Sequence, residues 1–337
     1  MSSIIPIFIP HVGCPHDCVF CNQKKIAGTL VPPTGEDVVN TISSALNYAK
    51  KPCEVAFYGG SFTAIGNTLL NEYLGAVSPF IENGDVSHIR ISTRPDCIDE
   101  EILKTLSRYR VQTIELGAQS MDEAVLRAAG RGHTAEQVRK AAKLIKANGF
   151  SLVLQMMTHL PSSDKKKDLE TAREIAALSP DAVRVYPTVV VRDTALEALW
   201  KTGKYSPATP EDAAKLGAEI IDIFEASDIP IIRFGLNPTE DLSDGAALAG
   251  AYHPALGEMA QAARYLASAC REIEKNNISG GEIEIFVSPS RISAMSGIKK
   301  QNKLFLSEKY GFSRISIKGD SSLKSGETRV EKLPFLC

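Results

Sequence analysis

Short runs of β-branched and aliphatic residues recur through the first 240 positions: IIPIFI at 4–9, CEVAFYGG at 53–60, HIRISTRPD at 88–96, TIELGAQS at 113–120, SLVLQMM at 151–157, AVRVYP at 182–187 and IPIIRFGL at 229–236. Between them EDVVNTISSALNYAKK, TLLNEYLGAVSPFIE, EEILKTLSRY, AEQVRKAAKLIKANGF and PEDAAKLGAEIIDIFEAS place apolar residues at three- and four-residue intervals, several ending near Gly or Asn. The repeating unit is a strand followed by a helix. The strands read as apolar throughout, like strands covered on both faces, so the pattern predicts an α/β fold of parallel strands joined by crossover helices. Six or so units in about 235 residues suit a partial or complete (β/α) TIM-like barrel better than an open sheet, although the spacing also fits a doubly wound fold.

Past residue 240 the texture changes. LSDGAALAGAYHPALGEM is rich in Gly and Ala, a helix is expected over 255–276, and EIEIFVSP, a further helix and FSRISIKGD predict a small α/β appendix. The last fifteen residues read as frayed. The chain is therefore divided into a barrel domain at 1–238 and a barrel-closing and accessory region at 239–337.

Composition narrows the function classes. With 44% hydrophobic residues in 337, the chain can bury a large core, and its net charge of -2 gives no global attraction to a polyanion, so any nucleic-acid contact must be local. No apolar run approaches the roughly 20 residues that span a bilayer. The opening MSSIIPIFIPHVGC lacks a basic start and is broken by Pro6 and Pro10, which argues against a lipoprotein signal. Seven cysteines, with Cys53, Cys97, Cys270 and Cys337 scattered singly, do not make a disulfide framework, and reduced thiols in a cytoplasmic protein are expected.

Cys14, Cys18 and Cys21 stand apart in HVGCPHDCVFCNQ, on a C-x-x-x-C-x-x-C spacing. Three cysteines in a polar loop without apolar period are poor core fillers. A structural zinc would need a fourth ligand, His16 or His11, and normally draws on two separated pairs. A redox dithiol needs only Cys18 and Cys21 and leaves Cys14 idle. A four-iron cluster held by three soft thiolates keeps one iron open for a small molecule. The spacing, with Phe20 before the last cysteine, resembles the signature of radical S-adenosylmethionine (SAM) enzymes. That resemblance implies a [4Fe-4S] cluster on Cys14, Cys18 and Cys21, reductive cleavage of SAM to methionine and a 5′-deoxyadenosyl radical, and an external electron donor such as flavodoxin or ferredoxin.

Further motifs fall at the carboxyl ends of the expected strands. Tyr58-Gly59-Gly60-Ser61 is similar to that superfamily's Gly-Gly-Glu segment, with Ser61 in place of the acid, and two glycines there let backbone approach a ligand. Thr93 and Arg94 of STRPD offer a hydroxyl for a ribose and a fork for a carboxylate, or else Arg94 forms a surface pair with Asp96. Gln119 offers an amide to a ligand or to backbone, and His133 either joins a site or precedes a helix cap at Thr134. Taken in order, these segments with Glu115-Leu116-Gly117, Arg131-Gly132-His133, Val185-Tyr186-Pro187-Thr188 and Leu199-Trp200 resemble the radical domain of Elongator catalytic subunits, from about residue 5 to 238. The resemblance implies a radical SAM enzyme acting on a transfer-RNA nucleoside. A start close to the cysteines and an end at 337 leave a basic amino-terminal extension and an acetyltransferase domain outside the expectation.

In the appendix Arg291, Lys299, Lys300, Lys303, Lys309, Arg314, Lys318 and Lys324 interleave with Phe305, Tyr310 and Phe312, a mixture suited to phosphate contacts and base stacking or to an ordinary solvated face. Tyr252-His253-Pro254 is a candidate loop over the open side of a partial barrel. Two alternatives remain at this level: a radical SAM enzyme for a small metabolite such as a porphyrin or nucleobase derivative, and a non-catalytic zinc-containing RNA-binding protein.

Overall fold

The computed structural model describes residues 3–9, 12, 14–22, 31–236 and 245–334. His11, Cys337 and part of the Gly- and Ala-rich stretch lie outside the described residues.

Along the barrel the elements are β1 (Ile4–Ile9), α1 (Gly35–Ala45), β2 (Cys53–Gly59), α2 (Asn67–Glu82), β3 (Val86–Thr93), α3 (Glu100–Arg108), β4 (Val111–Gln119), α4 (Glu123–Ala128), α5 (Ala135–Ala147), β5 (Ser151–Thr158), α6 (Lys165–Ala177) and β6 (Ala182–Pro187). Then come β7 (Val189–Val191), α7 (Ala195–Lys201), α8 (Pro210–Glu225), β8 (Ile231–Phe234), β9 (Ala247–Gly250) and α9 (Leu256–Lys275). Polar caps start most of these helices: Thr34 and Thr134 form capping boxes with Asp37 and Gln137, and Asp99, Asp122, Asp164, Thr194 and Thr209 each accept a first-turn N–H.

Seven strands make one sheet in the order β1-β2-β3-β4-β5-β6-β8, every neighbouring pair parallel. A doubly wound sheet would reverse its strand order at a switch point, and this one never does. The sheet curls into a half-barrel whose edges, β1 and β8, are not hydrogen-bonded to each other.

Side chains alternate across the sheet. Ile5, Ile7, Val55, Phe57, Ile89, Ile91, Ile114, Leu154 and Val185 form the convex core under the helices. The concave face carries Tyr58, Arg90, Glu115, Gln155 and Arg184, so the strands are not apolar on both faces. An open barrel leaves that side to solvent and ligand, and polar and charged side chains satisfy it.

Four further departures follow. α6 escapes the periodic reading because its inward positions include Asp168, Thr171 and Ala172 beside Leu169 and Ile175. α1 ends at Ala45, before the expected end near 51. Ala247–Gly250 is a strand, antiparallel to β7, because its partner lies 56 residues upstream and nothing local marks the pairing. The carboxyl-terminal stretch is not frayed as far as residue 334, where the description ends. The appendix has β10 (Gly281–Val287), α10 (Ile292–Ser296), α11 (Gln301–Tyr310), β11 (Phe312–Gly319) and β12 (Arg329–Lys332), with β11 parallel and β12 antiparallel to β10. Val330 of β12 joins Tyr265 of α9 and Ile283, Ile285 and Phe312 in a second core.

Candidate functional site

At the carboxyl ends of the strands lies a cavity of about 430 Å³, within the size range of small-ligand sites. Its wall includes Cys14, Cys18, Phe20 and Cys21 from the loop after β1. Tyr58, Gly59, Gly60 and Ser61 enter from the end of β2, Thr93 and Arg94 from the end of β3, and Gln119 from the end of β4. The cysteines, the Tyr58–Ser61 segment, Thr93, Arg94 and Gln119 are thus brought to one place, while His133 does not line the cavity. His253 is not among the lining residues; its Nδ1 accepts from the Ala255 amide at 3.1 Å.

The cysteine loop is tied down on three sides. The Val19 amide donates to Ala129 O at 3.0 Å, the Leu196 amide donates to Val19 O at 2.7 Å, and Asn22 donates to Arg192 O at 2.9 Å. Phe20 packs on the Val125 and Leu160 cluster and on Leu196 and Trp200. The three cysteines form no disulfide and are half-buried, with Cys14 Sγ 3.5 Å from Ser61 Oγ and Arg131 Nη1 donating to Cys18 Sγ at 3.3 Å. Among the described residues no three His, Cys, Asp or Glu side chains gather tightly enough for a single metal ion. A four-iron cube takes its thiolates at separate corners, so three cysteines along one cavity wall fit it.

The two glycines at the end of β2 line the cavity and also serve the chain itself. A Cβ at Gly59 would lie 2.2 Å from Ile9 O, and one at Gly60 2.3 Å from Val12 O, so their bareness lets the chain entering the cysteine loop cross the end of β2. Gly59 also needs its φ of +114°. Gly60 N donates to Ile9 O at 3.0 Å, closing the crossing.

Arg94 is only 3% exposed. It forms the expected fork with its own neighbour Asp96, at 2.9 and 3.1 Å, and this pair is buried, not on the surface. Its Nη2 also donates to Arg131 O, while Nη1 is buried without a partner, as is Nε of Arg131. Two orphaned guanidinium donors in one cavity wall are complementary to an anionic ligand group such as a carboxylate. The Thr93 hydroxyl pairs with Thr63 Oγ1 at 2.6 Å. Gln119 sits at a break in the β4–β5 register with φ +66°, a left-handed kink that turns its amide toward the cavity, where it accepts from Gln155 at 3.3 Å.

Deeper on the concave face is a charged network that the sequence pattern did not reveal. Arg90 spans Glu54 at 2.6 Å and Glu115 at 3.0 Å, and Arg184 Nη2 donates to Glu115 at 2.9 Å. Tyr58 and Tyr186 hydroxyls flank Arg184, each at 3.3 Å. Burial, with the Glu115 carboxylate beside it, pushes the Tyr58 hydroxyl up to about 12, so it stays protonated. The signal available was a charged residue inside the apolar runs of β2, β3, β4 and β6, with Gln155 in β5. His133 is buried and its Nε2 pairs with Ala118 O at 3.1 Å; burial, with the guanidiniums of Arg131 and Arg94 nearby, depresses it to about 3, so it is neutral.

The appendix is only partly the basic surface expected. Lys309, Lys318 and Arg314 pair with Glu274, Glu284 and Glu282, and Phe312 is core. Phe305 is 45% exposed, and Lys299, Lys300 and Lys303 have no ion pair among the described residues. No helix among the described residues is long and apolar enough to cross a membrane.

Residues 8–175 match the model of the Radical SAM superfamily, and residues 180–268 that of the Radical_SAM C-terminal domain. Elongator complex protein 3 of Homo sapiens is 32% identical over 208 residues, which is 60% of this chain and 37% of that protein. An uncharacterized protein of Methanocaldococcus jannaschii is 30% identical over 215 residues, 60% of this chain and 65% of its own length. The chain thus spans little more than a third of the Elongator protein it matches. Among solved structures, the archaeal Methanocaldococcus infernus Elp3 with an amino-terminal deletion superposes with a TM-score of 0.61 at 20% identity, covering 82% of this chain and 63% of that one, a likeness of fold.

Proposed function

The chain belongs to the radical SAM superfamily, whose members are enzymes using a [4Fe-4S] cluster and SAM, and from that premise we propose that its substrate is a transfer-RNA nucleoside. Cys14, Cys18 and Cys21 would hold the cluster. Arg94 and Gln119, with the Gly59–Gly60 backbone and Thr93, would bind SAM in the cavity beside it. When bound, the pair supplies one-electron cleavage of the sulfonium, which yields the radical that abstracts hydrogen from substrate.

The rest is the work of this chain's side chains. Ser61, 1% exposed, takes the place of an acid, so the cavity wall beside Cys14 is polar without being anionic. The Glu115 carboxylate is matched by Arg90 and Arg184, which leaves the inner wall electrically balanced and lined by two phenolic hydroxyls. Such a wall suits a neutral group with hydrogen-bonding edges, as a uracil ring has, better than a charged one. The packed cysteine loop and the helix-covered sheet restrict water.

The observation that carries the reading is the convergence of three thiols and two orphaned arginine donors on one cavity. Support for a transfer RNA comes from the run of motifs shared with Elongator catalytic subunits and from the unpaired Lys299, Lys300 and Lys303. The test is anaerobic reconstitution with iron and sulfide, reduction in the presence of SAM, and incubation with bulk transfer RNA from a strain lacking the gene. The expected result is 5′-deoxyadenosine and a mass change in one nucleoside, both lost when any of the three cysteines is Ala. Cleavage of SAM without any nucleoside change would sink the RNA substrate and favour a small metabolite.

A further inference from the structure

Arg131 is 6% exposed, yet no carboxylate lies within ion-pair distance of it among the described residues. Its Nη2 donates to Gly117 O at 2.6 Å, its Nη1 to Cys18 Sγ at 3.3 Å, and its Nε has no partner. A guanidinium taken out of water is tolerated when a counter-charge is close, and among the described residues the partner that can carry one, once it ligates the cluster, is Cys18 Sγ.

The loop that carries Arg131 is shaped to the cysteine loop. Gly130 and Gly132, on either side, both hold positive φ, +67° and +69°. A Cβ at Gly130 would lie 2.9 Å from Asp17 O, and one at Gly132 2.3 Å from the His16 ring. Ala129 O accepts from Val19, and Arg131 O from Arg94. The backbone on both sides of the guanidinium is thus seated against residues 16 to 19, which fixes the Nη1 to Sγ contact.

We propose that Arg131 is the built-in counter-ion of the metal centre at its Cys18 corner and that its charge sets how readily the centre accepts an electron. The inference rests on the reading of Cys14, Cys18 and Cys21 as cluster ligands. Reduction adds one electron, from a low-potential protein donor or dithionite, to a centre already carrying thiolate charge. A fixed cation and an N–H donor on one sulfur stabilise the more negative state and raise the reduction potential.

The experiment is a redox titration of the reconstituted protein followed by electron paramagnetic resonance, together with iron and sulfide counts, for wild type, Arg131→Met, Arg131→Gln and Arg131→Lys. The expected result is full iron in all four and, in the two neutral variants, an oxidised-to-reduced ratio raised at least tenfold at a given potential, a shift of 59 mV for one electron. Arg131→Lys should retain most of the wild-type value. Unchanged midpoints in Met and Gln would overturn the proposal. Loss of iron from the neutral variants but not from Lys would support it, because charge would then be what holds the thiolates; loss from all three would overturn it in favour of packing. Absence of iron from wild type would instead defeat the cluster reading itself.

Discussion

Gly132 and Gly66 both hold positive φ, +69° and +90°, but a methyl group meets the His16 ring at the first and nothing within 4 Å at the second. Strain alone makes Gly66→Ala cost about 1 kcal/mol, whereas Gly132→Ala adds a collision that displaces the cysteine loop, for about 2–4 kcal/mol in all. Urea midpoints should show that difference, and bound iron should fall only in the Gly132 variant. His133 gives a pH signature. Its folded-state value, about 3, lies below the ordinary histidine value, so between about pH 3 and 6.5 the unfolded chain binds the extra proton and stability declines as pH falls through that window. His133→Asn should flatten that decline in midpoints measured from pH 7 to 4. At this scale much of the candidate site was legible, since Gly59, Arg94 and Gln119 fall in short polar segments that end apolar runs, whereas Arg131 was not singled out. The Arg131 to Cys18 contact was not, because it joins residues 113 apart, and neither was the Arg90–Glu115–Arg184 relation, which depends on register between strands.

The barrel strands were read from their apolar runs and most helices from spacing, while β9 and β12, whose partners lie far along the chain, were missed. β12 is short, its one buried residue is Val330, and only its antiparallel pairing with β10 gives it form. Ending the chain at Thr328 removes that edge and uncovers the second core. Amide exchange at Ile283 to Phe286 should then accelerate by more than tenfold, while exchange in β3 and β4 stays unchanged. Arg264 binds a second pair of elements, lying 2.6 Å from Asp222 and 2.5 Å from Glu225 of α8 while buried on α9. The two carboxylates are partly exposed, so Arg264→Ala should lower stability by about 1–2 kcal/mol, a modest loss for a buried cation, measurable by thermal melting.

At the scale of the whole molecule, the seven-stranded sheet takes its strands in chain order, with β7 outside it, and one end of the half-barrel therefore collects a loop from each strand. With a net charge of -2, attraction of the proposed transfer RNA must come from local lysines. Affinity should fall linearly on a log–log plot against salt, and replacing Lys299, Lys300 and Lys303 together by Ala should lower the slope by about 2 to 3. An unchanged slope would remove the appendix from RNA contact. The unpaired edges of β1 and β8 have one more consequence. A fully sealed cylinder admits only guests that enter end-on through its mouth, whereas this one is missing a stave. The transfer RNA proposed as substrate would lean against the gap and tip a single unit sideways onto the inner wall, and the chamber would then need to be only as large as the piece being altered.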